Sequence, residues 1–361
     1  MNLDDTEALI KLDASKTYES VIGLPEQCRD AFGAATDVKV PDTYAGPDTL
    51  VMAGMGGSGL GARFIESVYG QSLPLPLIRI NDYLLPAWVG KKSLVICSSF
   101  SGTTEETIEN VRQAVSARAK WMAIGTGGQL IDLAAKHSVP FYKIDPVHNP
   151  SRQPRLAIGY SVVGQLVLVS KTGIISFGSG DLDPALQAMS DTIRENTRDI
   201  PLKSNNAKRD AGALFGKLVV FIGAGHMIGA IHTIKNQMNE NAKNFSAIFD
   251  IPELNHHLME GLAFPEANRR HLVIVLVHSG LYSDRIRRRF EITRDVISKN
   301  KIPCVEFSPR SATKLAQAFE FVGYGGLVNY YLSMLNGIDP APIPWVDYFK
   351  KELGQSLGQW K

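Results

Sequence analysis

Val51-Met-Ala-Gly-Met-Gly-Gly-Ser-Gly-Leu60 is an apolar run that breaks into small, hydrogen-bonding residues and then gives way to a helical pattern. Val95-Ile-Cys-Ser-Ser-Phe-Ser-Gly-Thr-Thr-Glu-Glu106 repeats the plan. Each reads as a β-strand delivering a loop to a helix N-terminus, where free backbone N–H groups and the positive end of the helix dipole attract an anion. Gly56 and Gly57 let the backbone come close, and Ser58, Ser99, Ser101 and Thr104 add hydroxyl donors around the same spot. That chemistry suits a phosphate monoester. Gly54-x-Gly56-x-x-Gly59 also has the spacing of a dinucleotide loop, but the acid that should end the next strand comes late, at Asp82. A third reading keeps the glycines only for tight helix–strand packing.

The 361 residues are enough for two domains of ordinary size, each with its own core. A hydrophobic fraction of 44% with 20% charged residues is that of a globular protein. A net charge of +2 gives no argument for a nucleic-acid partner, and the basic run Arg285-Ile-Arg-Arg-Arg289 reads as a solvated helix face. Cys28, Cys97 and Cys304 are scattered without metal-ligand spacing, as in a reducing compartment. The acidic start Met1-Asn-Leu-Asp-Asp lacks the apolar stretch of a secretory signal, and no apolar run approaches the ~20 residues that span a bilayer. The expectation is a cytoplasmic protein with no membrane partner.

Strands are expected at 48–54, 75–80, 93–98, 120–125 and 140–144, with helices at 58–69, 104–118 and 129–137. Such alternation predicts an α/β fold with a mainly parallel sheet flanked by helices. Residues 156–171 are too long and apolar for a strand and read as a buried helix. A helix at 183–198 leads into the polar stretch 201–210, which places the boundary between domains 1–200 and 205–361. The pattern then restarts, with strands at 217–225, 272–280 and 303–307 and helices at 227–243, 284–299, 313–335 and 345–357. Gly54-Met-Gly56 corresponds to Gly223-Ala-Gly225, and Ser101-Gly102 to Ser279-Gly280, so the halves read as diverged copies. Only the first keeps its full set of hydroxyls.

Gly54-Met-Gly-Gly-Ser-Gly59, Ser99-Phe-Ser-Gly-Thr-Thr-Glu-Glu-Thr107 and Pro252-Glu-Leu-Asn-His256 together resemble the bifunctional phosphoglucose/phosphomannose isomerases, two-domain members of the sugar isomerase (SIS) group. The resemblance spans roughly residues 45–351. It implies that Ser58, Ser99, Ser101 and Thr104 hold a sugar phosphate and that no cofactor or metal is needed. It assigns Glu240, in Asn236-Gln-Met-Asn-Glu240, as the base that moves a proton between C2 and C1. Arg155, in Gln153-Pro-Arg155, would face the reacting carbons. His256 would open the sugar ring from the neighbouring subunit of a homodimer, and Lys350 or the adjacent Lys351 would assist. The chain departs from the family pattern at His257-Leu258-Met259 and at Thr103, where asparagine is usual.

Aldose–ketose interconversion needs a base strong enough to attack a C–H bond yet ionised at neutral pH, and a glutamate with a raised pKa meets both demands. Near a helix C-terminus the dipole would push Glu240 upward, while Lys243 would oppose it. Arg155 would stabilise the enediolate oxygen. Adjacent residues of an extended segment point apart, so His256 and His257 are not expected to share a metal ion. Two rivals remain: a non-catalytic sugar-phosphate-binding SIS protein and an NAD(P)-dependent oxidoreductase.

Overall fold

The computed structural model describes residues 1–356. Three helices open the chain: α1 (Thr6–Leu12), α2 (Thr17–Ile22) and α3 (Leu24–Asp37). The first sheet follows, built from β1 (Thr49–Gly54), β2 (Leu77–Ile80), β3 (Ser93–Ser98), β4 (Lys120–Gly125) and β5 (Phe141–Lys143). Helices α4 (Leu60–Tyr69), α5 (Glu105–Ser116) and α6 (Gly128–Lys136) connect these strands. The strand order is β2-β1-β3-β4-β5, all parallel.

Alternate residues of β1 and β3 serve opposite faces of this sheet. Leu50, Met52, Leu94 and Ile96 enter one core, while Val51, Ala53, Val95 and Cys97 enter another. Strands buried on both faces must be apolar throughout, which is why both read as continuous hydrophobic runs. The run at 156–171 forms α7 (Ile158–Ser170), buried from Ile158 to Val169.

Next come α8 (Ser179–Glu195) and α9 (Asn206–Leu214). The second sheet contains β6 (Leu218–Gly223), β7 (Ser246–Asp250), β8 (Leu272–Val277) and β9 (Cys304–Phe307), in the parallel order β7-β6-β8-β9. Its helices are α10 (Ile228–Glu240), the single turns α11 (Leu258–Gly261) and α12 (Asn268–His271), α13 (Asp284–Lys299), α14 (Lys314–Leu335) and α15 (Pro344–Ser356). The order matches that of the first sheet without its last strand, so the halves repeat a scaffold.

Helix α14 joins the halves. It is buried from Leu315 to Met334, and its glycines admit close neighbours. A Cβ at Gly325 would lie 2.6 Å from Ile234 of α10, and one at Gly326 would lie 3.0 Å from Val21 of α2. The larger hydrophobic core therefore runs without interruption from α2 and α3 to the second sheet. Among the described residues no helix is long and apolar enough to cross a membrane.

Four expectations need correction. Strand β7 was not anticipated. The polar stretch at 201–210 contains the start of α9, whose first turn is capped by Asn205 accepting from Lys208 N. Helix α8 begins before 183, and α10 stops at Glu240, not 243. Finally, His256 closes a 3-10 turn, Glu253–His256, so the extended geometry assumed for the two histidines does not occur.

Gly102 shows how tightly the anion loop is set. Its φ is +71°, and a Cβ there would lie 1.7 Å from the Gly127 carbonyl oxygen. Gly102→Ala is therefore expected to destabilise the fold by about 2 kcal/mol or more, read as a lowered denaturant midpoint. An unchanged midpoint would show that the loop can relax.

Candidate active site

In an open parallel sheet, ligands settle beyond the carboxyl ends of the strands where the strand order reverses. In the first sheet that point lies between β1 and β3, whose ends carry the two hydroxyl-bearing loops. The structure brings them together: Phe100 N donates to Ser58 Oγ at 2.9 Å. Ser58 is buried, and its carbonyl accepts at 2.8 Å from Gln165 Nε2 of α7. Gly61 leaves the room Gln165 occupies, since a Cβ there would lie 2.4 Å from the amide carbon. Gln165, one amide within an apolar helix, was not singled out from sequence.

Ser99 is fully buried and organises the second loop from within. Its Oγ accepts from Gly102 N at 3.1 Å and lies 2.8 Å from Thr104 Oγ1. Ser101 is exposed, and its Oγ accepts from Thr103 N and Thr103 Oγ1. Its own hydroxyl hydrogen therefore points to neither of these partners. Thr104 stands at the N-cap of α5 with no side-chain capping bond, so the positive end of that helix opens onto the loop. Gly56 has φ +51°, and a Cβ at Gly57 would lie 2.9 Å from the Pro154 carbonyl. That close approach sets the first loop against the turn carrying Arg155.

Arg155 is 3% exposed and donates four hydrogen bonds through its guanidinium. Its Nε donates to Asn241 Oδ1, Nη1 donates to Gln153 Oε1 at 2.8 Å, and Nη2 donates to the carbonyls of Pro340 (3.0 Å) and Ala341 (2.7 Å). Gln237 of α10 donates to the Arg155 carbonyl at 2.8 Å. Burial lowers the guanidinium pKa, opposed by Glu240, Asp347 and Asp339, but an arginine starts so high that it remains a cation.

Glu240 ends α10, with Oε2 3.8 Å from Arg155 Nη1. Burial raises its carboxyl above the usual carboxylate range, against the opposing pull of Arg155 first and then Lys243, Lys350 and Lys235. Desolvation therefore wins over the four cations. Lys243 folds back over the helix end and donates to the carbonyls of Glu240 and Pro340, both at 2.7 Å. Its stem is exposed, but enclosure of the ammonium, with Arg155 beside it, brings its pKa down to about 8. Lys350 lies on the exposed face of α15, close enough to act on Glu240 electrostatically.

The corresponding place in the second sheet, between β6 and β8, is filled by the protein itself. His226 Nε2 lies 2.9 Å from Gln317 Oε1, which also accepts from Ser279 Oγ at 2.6 Å, and the Tyr282 hydroxyl accepts from Ala224 N. The second copy thus has its loops but no open cradle.

A relative from Caldicellulosiruptor bescii, named bifunctional phosphoglucose/phosphomannose isomerase, is 32% identical over 340 residues, covering 94% of this chain and 99% of its own. The chain belongs to the bifunctional phosphoglucose/phosphomannose isomerase family. A relative of the same name from Aquifex aeolicus is 26% identical, covering 84% of this chain and 90% of its own. Residues 203–353 match the family model described as the bacterial phospho-glucose isomerase C-terminal SIS domain. Among solved structures, a hypothetical protein from Thermus thermophilus superposes with a TM-score of 0.75 at 15% identity, covering 98% of this chain and 94% of that one. At that identity the likeness concerns the fold.

Membership of the phosphoglucose/phosphomannose isomerase family makes the position of His256 informative. It is exposed on the turn after edge strand β7, and among the described residues no hydrogen bond or ion pair joins its ring to Arg155 or Glu240. Within one chain the first loop meets the turn carrying Arg155 at Gly57, and Arg155 and Lys350 act on Glu240. Among the described residues no group of three or more His, Cys, Asp or Glu side chains could hold a metal ion.

Proposed function

We propose that the chain is an aldose–ketose isomerase that interconverts glucose 6-phosphate, and mannose 6-phosphate, with fructose 6-phosphate. The observation that carries this reading is a partly buried carboxylate, Glu240, 3.8 Å from a buried cation, Arg155, whose turn packs against a hydroxyl-lined anion loop. Kinship with relatives named for that activity supports it.

In this reading the loops from Gly56 to Ser58 and Ser99 to Thr104 hold the phosphate. Glu240 removes the proton at C2, the electron pair moves toward C1, and Arg155 stabilises the resulting enediolate oxygen. The protonated Glu240 returns the proton to C1 while the C2 hydroxyl proton passes to O1, which leaves the C2 carbonyl of the ketose. The enediolate is planar at C2, so both epimers feed the same intermediate. No cofactor takes part, because the carbon skeleton is neither oxidised nor reduced overall. A purely sugar-binding protein has no need of a glutamate held above its ordinary pKa. The test is a coupled assay of fructose 6-phosphate formation from each aldose phosphate. Turnover of both is expected; turnover of neither contradicts the assignment.

His256 and Lys350 open the ring, with His256 supplied across the interface of a cytoplasmic homodimer whose two SIS domains meet at residues 200–205. Mixing Glu240→Gln and His256→Ala proteins, each inactive alone, should then restore activity. In a statistical mixture half the dimers are hybrids, each with one intact site, so about a quarter of wild-type activity should return. No recovery after subunit exchange, verified by mass spectrometry, would place both residues in one subunit's site.

A further inference from the structure

We propose that Gln153 and Asn241 are positioning residues that hold Arg155 through neutral carboxamide oxygens, leaving its full charge and one N–H for the oxygen that becomes anionic. The inference rests on the isomerase reading above. It begins from a count of donors. A guanidinium carries five N–H groups, and four are taken here, by Asn241, Gln153, Pro340 and Ala341. The fifth belongs to Nη1, the nitrogen 3.8 Å from Glu240 Oε2. That separation is too long for a hydrogen bond, and this N–H sits on the nitrogen that approaches the base.

The chemical type of the four partners matters as much as their number. A buried arginine commonly pairs with a carboxylate, which cancels its charge; here every hydrogen-bond acceptor is an amide or peptide oxygen. Such dipoles compensate desolvation of the cation without neutralising it. Glu240 alone supplies a nearby carboxylate on the open side, while Asp339 and Asp347 act at longer range. Both carboxamides face the right way. A guanidinium has no acceptor, so oxygens must point at it, and Gln153 Nε2 donates in turn to the Ser151 carbonyl at 3.2 Å. Asn241 is 1% exposed and directly follows Glu240, so one peptide unit sets both the base and the clamp on the cation. Neither carboxamide was named as a site residue from the sequence; Asn241 counted only as one of the asparagines around Glu240.

The deciding variants are Asn241→Asp and Gln153→Glu, which keep shape and acceptor oxygens but add a negative charge. Around Glu240 stand Arg155, Lys243, Lys350 and Lys235, and neither substitution alters these cations. Each variant should lower kcat at least tenfold, with KM for the sugar phosphate within about threefold. The acid limb of the kcat–pH profile should move up by about one unit as the added charge disfavours ionised Glu240. A structural role alone would lower the folding midpoint and leave that limb in place. Gln153 is half-buried, so Gln153→Glu carries the test should Asn241→Asp fail to fold. Wild-type kcat and pH profile in a folded variant would overturn the proposal. Glu240→Gln measured alongside separates the two readings: if it is inactive while Asn241→Asp behaves as wild type, only this inference falls; if it is fully active, the isomerase mechanism falls.

Discussion

Glu240→Gln should lower kcat by about 10³-fold with KM changed no more than a few fold, because the substitution removes proton transfer but keeps the shape of the site. The same change should not cost stability. The Glu240 carboxyl is raised in the folded protein, with burial as the main cause, so folding favours its neutral form. The stability that this preference contributes is fully present below the unfolded-state pKa and is lost as pH rises through the folded value. At pH 7 the carboxylate is therefore a net cost, and a neutral glutamine relieves it. The thermal midpoint at pH 7 is expected to stay level or rise, and the advantage over wild type to vanish in acid. Loss of activity with no loss of stability is the pattern of a residue kept for chemistry. A variant of unchanged kcat would remove Glu240 from the mechanism.

Arg155→Met should fail on both counts. It strands the acceptors of Asn241, Gln153, Pro340 and Ala341, and each buried acceptor left unpaired costs on the order of 1–3 kcal/mol. A fall of several degrees in thermal midpoint is expected from that alone. Catalysis should fall a further 10²–10³-fold through loss of the cation at the enediolate oxygen. Arg155→Lys separates the two effects. It keeps a charge but not the fork, so it should recover part of the turnover while the Pro340–Ala341 segment stays unanchored. Removing the guanidinium also removes the largest pull that lowers Glu240, so the acid limb of any residual activity should shift to higher pH. Equal stability and turnover in Arg155→Met and wild type would show that the buried cation does neither job.

The strand–loop–helix units around Ser58 and Thr104 were legible because β1 and β3 are buried on both faces and end in glycine and hydroxyl residues, local signals that need no partner. The α7 run was legible for the same reason. Strand β7 was not: Ser246–Asp250 is short, half-buried at a sheet edge, and follows the polar Asn241–Asn244 stretch without a turn signal. Helix α9 hid behind its own polarity, since only its cap and one buried face mark it.

Within the site, Glu240, Arg155 and the serine loops could be named from sequence. The bonds that orient them could not, because the Arg155–Asn241 contact joins residues 86 positions apart and those to Pro340 and Ala341 lie more than 180 apart. Ser99 is a further case. It was grouped with the ligand hydroxyls, but it is fully buried and shapes the loop from inside. His256 is exposed on the turn after β7, and its proposed role rests on the subunit-mixing experiment.

The most direct measurement follows the proton itself. Glucose 6-phosphate deuterated at C2 should be converted to fructose 6-phosphate with partial loss of deuterium to water and partial transfer to C1, and with a primary isotope effect that disappears together with turnover in Glu240→Gln. Complete retention of deuterium through turnover, or washout as fast in Glu240→Gln as in wild type, would contradict a carboxylate-borne proton transfer at this site.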